Sequence, residues 1–334
     1  MTDVTVAVVV VSYRSSQLTI ECLRSLQPER TAAGVRLRAI VIDNASGDLP
    51  ALDRAVREQD WSDWVELIES SRNGGFAYGN NLGIERAYLH GAPSYIYLLN
   101  PDAQARPGAI GELVRFLESH PDAGIAGSSI ENSDGSSWPF AFRFPNLFSE
   151  INDGLQFGLV TRLLRRWVVA REMGNVAQAV DWISGCSMMI RAAVFDAIGG
   201  LDENFFLYFE ETDFCRRARA AGFSTWYVPQ SRVMHARGQI TGVMAAAGAP
   251  RRLPSYWFES RRRYFALAFG RSGAMAIDAA ALAAYSLGWL KRLALLHRRT
   301  AVPHFVRDLA RHSLLWPANR ALPAPRWFSP HNAN

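Results

Sequence analysis

Apolar runs of strand length alternate with helical patterns along the first half of this 334-residue chain. The runs contain many β-branched residues, and between them apolar residues recur at helical spacing, as Leu18, Cys22 and Leu26 do. The predicted elements are, in order, strand Val4–Val11, helix Ser16–Leu26, strand Leu37–Ile42, helix Leu49–Gln59, strand Val65–Glu69, helix Gly79–Leu89, strand Tyr95–Leu99 and helix Pro107–Ser119. This order indicates an α/β fold with a parallel sheet and helices on both of its faces.

Polar residues follow three of these strands directly. Asp43 follows the second strand, Arg72 and Asn73 follow the third, and Asp102 follows the fourth. Ligands of such sheets bind beyond the carboxyl ends of the strands. We therefore expect these residues to lie in one crevice.

The second half of the chain is less regular. Residues 131–175 contain many aromatic residues but sustain no period, so we predict loops and short helices beside the crevice. Regular structure is then predicted as strand Asp181–Ile190, a helix up to Ile198 closed by Gly199 and Gly200, helix Glu210–Ala221, and strand Thr225–Val228 leading to His235.

Charge is distributed unevenly along the chain. The net charge is +5, but the residues from Arg251 onward carry +11 and residues 1–250 carry −6. An acidic body argues against a uniformly basic nucleic-acid-binding protein. An apolar content of 49% can fill a core and excludes a disordered chain.

The cysteines and the first apolar run exclude further classes. Cys22, Cys186 and Cys215 lie far apart without a paired spacing, which argues against a disulfide scaffold or a zinc ribbon and suits a reducing compartment. Val4–Val11 follows Asp3 rather than a basic segment and is too short to span a bilayer. It is typical of a buried strand rather than a secretory leader.

Two acidic segments could carry chemistry. Asp102 ends a strand-to-helix turn and could hold a divalent ion that bridges phosphates, although Asn-Pro-Asp is also an ordinary turn sequence. Glu210, Glu211 and Asp213 open a helix after the apolar run Phe205–Phe209. They could simply favour the helix dipole, or burial beside a second carboxylate could raise one pKa into the range of a general base.

A glycine-rich segment and one histidine complete the candidates. Residues Arg72–Gly83 combine glycines that allow close approach of the backbone to a ligand with the adjacent pair Asn80 and Asn81, which a purely structural turn would not need. The segment is neither a Walker loop nor a dinucleotide fingerprint. His235 lies at a strand end and could complete a divalent site, although a lone histidine is more often an ordinary buried or surface group.

Five segments in this order resemble the family 2 glycosyltransferases of the GT-A fold, and are most similar to their bacterial rhamnosyltransferase-like branch. They are Val10–Tyr13, Ile42–Ser46, Arg72–Asn81, Asn100–Asp102 and Phe209–Arg216. The resemblance covers roughly residues 4–240. It implies a Rossmann-like, mostly parallel central sheet, with residues 1–120 binding a nucleotide sugar and 121–245 forming the acceptor and catalytic half.

The resemblance implies a role for each matching residue. Asp43 would hold the nucleobase or ribose with help from Tyr13 and Arg72, and Trp182 and Gly185 would line the donor and acceptor cavity. The full set of nucleotide-sugar contacts implied is Ser12, Tyr13, Asp43, Arg72, Asn73, Gly75, Asn80, Asn100, Asp102 and Trp182.

The resemblance also implies a base and a metal site. Glu211 matches the residue that deprotonates the acceptor hydroxyl, and Glu210 and Asp213 would orient it or the acceptor. Asp102 matches the last acid of the family's Asp-x-Asp metal motif, and His235 a metal-binding histidine found in part of the family. The ion would be Mg²⁺ or Mn²⁺.

Two positions depart from the family pattern. Asn100 replaces the first acid of the metal motif, so the site has one charge fewer. Glu210 and Glu211 replace the usual Glu-Asp pair, which keeps the carboxylate and lengthens its reach by one methylene.

The implied reaction is an inverting transfer of L-rhamnose from dTDP-rhamnose to a cell-surface glycan or a polyprenyl-diphosphate-linked acceptor. A galactofuranosyl- or other hexosyltransferase using a UDP-sugar remains open. So does a protein of another class, a non-catalytic basic membrane-binding protein. The implied location is the cytoplasm or the inner face of the cell membrane, with no nucleic-acid partner.

Residues 250–334 are predicted to form a basic helical segment. Ala274–Leu290 is apolar, but its 17 residues fall short of the roughly 20 that span a bilayer. The apolar stripe within and after it is Leu282, Tyr285, Trp289, Leu293 and Leu296, with Lys291, Arg292, Arg298 and Arg299 nearby. This pattern favours a helix at an anionic membrane interface. A helical hairpin that packs on the body or forms a homodimer remains open.

Overall fold

A computed structural model describes residues 4–31, 34–132, 134–138, 141–235, 251–294 and 302–330. Its first half has the predicted alternation: β1 (Val4–Ser12), α1 (Ser16–Leu26), β2 (Val35–Asp43), α2 (Leu49–Glu58), β3 (Val65–Glu69), α3 (Gly75–Leu89), β4 (Tyr95–Leu99), β5 (Ala103–Ala105), α4 (Ala109–Ser119) and β6 (Ala123–Glu131). Strands β3 and β4 have the predicted bounds. Helix α3 begins at Gly75 rather than Gly79, so the glycine-rich segment is the start of a helix.

The second half contains shorter elements. They are β7 (Ser137–Trp138), β8 (Ala141–Phe142), α5 (Leu147–Leu155), α6 (Gly158–Leu163), β9 (Ala170–Arg171), β10 (Gln178–Val180), β11 (Trp182–Ile183), β12 (Ser187–Arg191), α7 (Ala192–Ile198), α8 (Glu210–Ala220), β13 (Ser224–His235), α9 (Ser255–Ala294) and α10 (Phe305–His312). The single strand predicted at Asp181–Ile190 is wrong. Residues 184–186 separate β11, in a small sheet with β8 and β9, from β12 in the central sheet.

The central sheet is mixed, and the half formed by the first four long strands of the alternation is parallel. The strand order is β10-β13-β6-β12-β4-β1-β2-β3, in which β4, β1, β2 and β3 run parallel to one another. The sheet is mostly parallel, as predicted, and β12 is one of its antiparallel members, pairing in that sense with both β4 and β6. Ser187 pairs with Leu99. The turn that precedes β12 therefore lies at the carboxyl end of β4.

Helices cover both faces of the sheet, as predicted. The side chains of β1 alternate between the faces, with Val6, Val8 and Val10 on one side and Ala7 and Val9 on the other. The first set packs with buried residues of α1, α2 and α4, and the second with those of α3, α7 and α8.

Helix α9 is a hairpin of two antiparallel helices. Gly270 breaks it with φ 70° and ψ 170°, a conformation that favours glycine. Arg261 then faces Asp278 across the hairpin, and Phe258 and Ala281 share one buried cluster. The hairpin packs on α5 and α10. The predicted domain boundary at 245–250 lies outside the described residues, as do Leu296 of the predicted stripe and the nearby Arg298 and Arg299.

Among the described helices, only α9 (Ser255–Ala294) is long and apolar enough, by length and composition, to cross a membrane. Its most apolar stretch has a mean hydropathy of 1.3, and 33% of that stretch is buried in the protein. The break at Gly270 divides this segment into two shorter helices.

Candidate active site

The carboxyl ends of β4, β1, β2 and β3 lie side by side and form the crevice that the sequence predicts. The side-chain amide of Asn44 joins the end of β2 to the residues that follow β3. Asn44 Nδ2 donates to Asn73 Oδ1 at 3.0 Å and to the Gly75 carbonyl at 3.1 Å. The end of β2 is thereby fixed to the start of α3.

Ser12 and Asp43, two of the predicted nucleotide-sugar contacts, are buried and hold the surrounding loops by hydrogen bonds. Ser12 Oγ accepts a hydrogen bond from Thr19 at 2.9 Å. The Asp43 carboxylate accepts from the Ser46 N–H at 3.1 Å and from the Leu49 N–H at 3.3 Å. Both residues have no exposed surface. The structure gives them a loop-holding role, and their contact with a donor stays a prediction.

Tyr13 and Arg72, two of the predicted donor contacts, are accessible in the crevice. Arg72 is exposed, and its guanidinium lies 4.6 Å from the centre of the Tyr78 ring. Tyr13 is half-buried, with the Arg14 guanidinium 5.2 Å from its ring. An aromatic face with a cation beside it can receive a base and a phosphate.

The start of α3 holds the loop that leads to α8. Gly75 has φ 84°, and a Cβ there would lie 1.9 Å from the Phe206 carbonyl oxygen. Asn81 Nδ2 donates to the Leu201 carbonyl at 2.8 Å, and Asn80 Nδ2 donates to the Phe76 carbonyl at 2.9 Å. The two asparagines therefore have structural partners, contrary to the expectation that only a ligand would require them.

Glu210 and Glu211 occupy the first turn of α8, next to a strained backbone. Tyr208 and Phe209 both have positive φ, 71° and 69°, which bulky residues rarely adopt and which is typical of functional sites. The Oε2 atoms of both glutamates are buried and have no hydrogen-bond partner among the described residues.

Burial changes the acidity of both glutamates. It raises the pKa of Glu210 well above its usual range, and the neighbouring Glu211 adds to this effect. Burial raises the pKa of Glu211 to about 7, although the N–H groups of Glu211 and Gly185 act in the opposite direction. A carboxylate with a near-neutral pKa suits a general base.

Asp213 has a different environment from the two glutamates. It is buried, and its two oxygens accept from Arg216 at 2.7 Å and from Arg217 at 2.8 Å. The predicted role in orienting the base or the acceptor is untested. What the structure shows is an anchor for the arginines of α8.

Asp102 and His235 form the candidate metal site. His235 Nε2 lies 3.1 Å from Asp102 Oδ1 and 3.5 Å from Asn100 Nδ2. Burial would lower the pKa of His235, but Cys186 and Asp102 outweigh it and raise that pKa to about 10. His235 Nδ1 is buried without a partner in the described part of the chain. Within that same part, no three metal-ligating side chains of His, Cys, Asp or Glu cluster together.

A single turn joins the glutamate pair to the Asp102–His235 pair. The Gly185 N–H acts on the Glu211 carboxylate and lowers its pKa, and the carbonyl of the next residue, Cys186, accepts from the Asn100 N–H at 3.0 Å. A Cβ on Gly185 would lie 2.7 Å from the Phe76 ring. The base candidate and the metal candidate therefore flank one short segment at the end of β4.

Trp182 lies on the small sheet before this turn. Its ring stacks on Phe142 with centroids 4.2 Å apart, and its Nε1 donates to the Arg143 carbonyl at 2.9 Å. The side chain is half-buried. Its predicted contact with the donor stays a prediction.

The α9 hairpin packs against the residues that precede the glutamate pair. The sequence did not indicate this contact. The Phe209 ring lies 5.5 Å from Tyr264 and 5.9 Å from Trp257. Ser260 Oγ donates to the Leu207 carbonyl at 3.0 Å. The available signal was the interleaving of aromatic residues, Tyr256–Phe258 and Tyr264–Phe265, with Arg261–Arg263, but nothing in the sequence pairs them with Phe209.

Comparisons with known proteins identify the family of this chain. The family model described as glycosyltransferase like family 2 matches residues 3–266. N-acetylglucosaminyl-diphospho-decaprenol L-rhamnosyltransferase of Mycobacterium tuberculosis is 32% identical over 189 residues, which are 53% of this chain and 61% of the relative. Rhamnosyltransferase WbbL of Escherichia coli is 24% identical over 164 residues, 48% of this chain and 60% of the relative. The matched region thus spans about three fifths of each relative.

Two solved structures share the fold. GalNAc-T7 with UDP, GalNAc and Mn²⁺ has a TM-score of 0.56 at 14% identity, over 92% of this chain and 57% of that chain. The mannosyltransferase PcManGT from Pyrobaculum calidifontis, in complex with GDP-Man and Mn²⁺, has a TM-score of 0.52 at 14% identity, over 94% of this chain and 81% of that chain. The predicted GT-A fold is confirmed. With the family model covering most of its length, this chain belongs to glycosyltransferase family 2 and resembles its bacterial rhamnosyltransferases.

Proposed function

We propose that this protein is an inverting, metal-assisted glycosyltransferase that uses Glu211 as its general base. One observation carries the proposal. Two buried carboxylate oxygens without partners among the described residues lie on one side of the Gly185–Cys186 turn, and Asp102 and His235 lie on the other. A protein that served only to bind membranes would have no use for this costly arrangement of buried acids.

The residues on the donor side fit a divalent ion. One carboxylate and one imidazole leave coordination positions for diphosphate oxygens and water, which is how Mg²⁺ and Mn²⁺ are usually held beside phosphates. Because Asn100 is neutral, the site carries less negative charge than one with two acids. His235 Nδ1 has no hydrogen-bond partner among the described residues. When bound by Asp102 and His235, the ion would neutralise the negative charge of the leaving diphosphate.

On the acceptor side, Glu211 would accept the proton. Glu211 Oε2 would take the proton of the acceptor hydroxyl as the acceptor oxygen attacks the anomeric carbon from the face opposite the diphosphate. Glu210, whose pKa is raised further, would stay protonated beside it. The Gly185 N–H would hold Glu211 in place throughout.

We propose L-rhamnose from dTDP-rhamnose as the donor and a polyprenyl-diphosphate-linked glycan as the acceptor. Support comes from relatives named as rhamnosyltransferases, one of them acting on a diphospho-decaprenol acceptor. A UDP-hexose donor is the second candidate, because a hexosyltransferase of Haloferax volcanii is 31% identical over 183 residues.

We also propose a peripheral location at the inner face of the membrane. Leu287, Trp289 and Leu290 are exposed at the end of α9, next to Lys291 and Arg292. Apolar side chains beside cations are typical of helices at an anionic interface. The homodimer alternative stays a prediction.

The test is a transfer assay with Mn²⁺, a lipid-linked N-acetylglucosamine acceptor, and dTDP-rhamnose or UDP-hexoses in separate reactions. We expect transfer from dTDP-rhamnose with inversion at the anomeric carbon, seen by NMR, and loss of transfer when EDTA is added. A product that retains the anomeric configuration, or no nucleoside diphosphate release with any donor, would contradict the proposal.

A further inference from the structure

We propose that a bulge in β13 places His235 beside Asp102, and that a row of buried hydroxyl groups holds this bulge in position. The inference rests on the metal site of the function proposed above and concerns the residues that position it. A bulge adds residues to one strand of a pair and can redirect the side chains that follow.

The bulge is visible in the pairing of β13 with β6. Val228 of β13 pairs with Ser128 of β6. The next residue of β6, Ser129, pairs with Arg232. Strand β6 thus advances by one residue where β13 advances by four, so the three residues Pro229–Ser231 are extra.

The odd number of extra residues changes the face of the sheet on which the later side chains lie. Before the bulge, Val228 packs on the face covered by α1, α2 and α4, and Tyr227 packs on the opposite face. An uninterrupted strand would continue this alternation and place Val233 and His235 on the face of Tyr227. Val233 instead lies in the same buried cluster as Val228.

His235 follows Val233 onto this face. After the bulge, β13 is regular and pairs with β5, where His235 pairs with Ala103, the residue that follows Asp102. Val233 and Ala103 belong to one buried cluster, and side chains two residues apart in a strand share a face. The His235 ring therefore reaches Asp102, with Nε2 3.1 Å from Oδ1.

Four hydroxyl groups form a row across four neighbouring strands, and the row ends on the bulge. Ser128 Oγ of β6 lies 2.7 Å from Ser231 Oγ of β13 and accepts from Ser187 Oγ of β12 at 2.7 Å. Ser187 Oγ also lies 2.7 Å from the Tyr97 hydroxyl of β4. All four side chains are buried. The hydroxyl row thus fastens the last residue of the bulge to the strand that leads to Asp102.

The hydroxyl row is better suited to fixing a position than to filling a core. Apolar side chains would fill the centre of the sheet without the cost of removing hydroxyl groups from water. Hydrogen bonds are directional, so a fully bonded row favours one arrangement of the strands. Ser231 lies four residues before His235, and its hydroxyl acts on the metal site through the end of β13. Ser231 is therefore a positioning residue.

The test compares Mn²⁺ binding by Ser231→Ala and Ser149→Ala, each in the full chain. Ser149 is the matched control because it is also buried and hydrogen-bonded, but it lies on α5, outside the hydroxyl row. We expect Ser231→Ala to weaken Mn²⁺ binding about tenfold, as is usual for groups that orient metal ligands, and Ser149→Ala by less than about twofold. EPR of free Mn²⁺ during a titration measures both affinities. Equal affinities in the two variants would overturn the inference.

Two further variants separate positioning from a general loss of structure. Ser231→Cys keeps the size of the side chain and only weakens the hydrogen bond, so it should give a smaller loss in the same direction even where Ser231→Ala does not fold. In a chain that already carries His235→Ala, Ser231→Ala should add no further loss, because the serine acts through the histidine. A further loss of more than about threefold in that chain would contradict the inference.

An NMR measurement without metal separates this inference from the proposed function. With ¹⁵N-labelled histidine, Asp102→Asn should shift the His235 ring signal, because the two side chains are in contact. In a chain with Ser231→Ala, the same Asp102→Asn change should shift that signal by less than about half as much. Equal shifts would mean that the bulge keeps its position without Ser231 and would overturn the inference. If His235→Ala binds Mn²⁺ as tightly as the wild-type chain, the proposed metal site fails, and the NMR shifts alone decide whether Ser231 positions His235.

Discussion

Glu210 and Glu211 are neighbours in sequence, but their surroundings give them different acidities. Glu210 is almost completely buried, and its pKa is raised by burial and by Glu211. Glu211 is only partly buried, and the Gly185 N–H lowers its pKa against the effect of burial, so we expect Glu211 to lose its proton first as the pH rises. We therefore propose Glu211 rather than Glu210 as the base, with Glu210 keeping the surroundings free of a second charge.

The first prediction concerns pH. Transfer should fall as the pH drops through about 7, because Glu211 must be deprotonated to act. Its pKa is raised on folding, so the folded state holds this proton more tightly, and the free energy of unfolding should fall as the pH rises from about 4.5 to about 7. Rate profiles and chemical denaturation across this range measure both effects. An acid limb that stays in place in Glu211→Gln would contradict the assignment.

The second prediction concerns Asp102. Asp102→Asn keeps the shape of the side chain but removes the charge that faces His235, so Mn²⁺-dependent binding of the donor should weaken by at least about tenfold. Calorimetric titration of dTDP-rhamnose with and without Mn²⁺ measures it. Asp122→Asn, at an exposed position, is the control. Equal metal dependence in the two variants would place the metal site elsewhere.

At the scale of elements, the α9 hairpin is held to α5 by a buried ion triad. Arg261 bonds Glu150 of α5 and Asp278 of the second half of α9, each at 2.6 Å. Asp278 also accepts from the Leu314 N–H at 2.8 Å. All partners of Arg261 are buried, so loss of its charge would leave two uncompensated carboxylates.

The third prediction follows from this triad. Arg261→Met should lower the free energy of unfolding by about 3–5 kcal/mol, because it leaves Glu150 and Asp278 buried without a cation. Arg271→Met, on the exposed side of the same hairpin, should change it by less than about 0.5 kcal/mol. Thermal and urea denaturation measure both variants. Similar stability of the two would mean that the triad does not hold the hairpin.

The sequence predicted the elements that local patterns determine. Strands β3 and β4 are single apolar runs between turn residues. Helix α7 ends at Ile198 and is capped by Gly199, which has φ 69°. The antiparallel β12 was missed because its pairing with β4 depends on contacts distant in sequence. The role of Asn81 was also missed, since its partner Leu201 is far along the chain.

At the scale of the whole molecule, the basic C-terminal segment forms ion pairs with the acidic body. Arg261 and Arg263 of the basic segment bond Glu150 and Asp202 of the acidic body. Part of the predicted basic surface is therefore an internal interface that fixes the hairpin under the loop before Glu210. The sequence could reveal the asymmetry but not this pairing, which depends on the tertiary fold.

The assignment of Glu211 as the base of an inverting transfer is tested most directly by single-turnover transfer with Glu211→Gln. The amide keeps the size of the side chain but cannot accept the proton, so we expect a loss of about 10²–10⁴-fold with donor affinity unchanged. Glu58→Gln, on the far end of α2, is the matched control and should transfer normally. Transfer by Glu211→Gln within about twofold of the control would contradict the account.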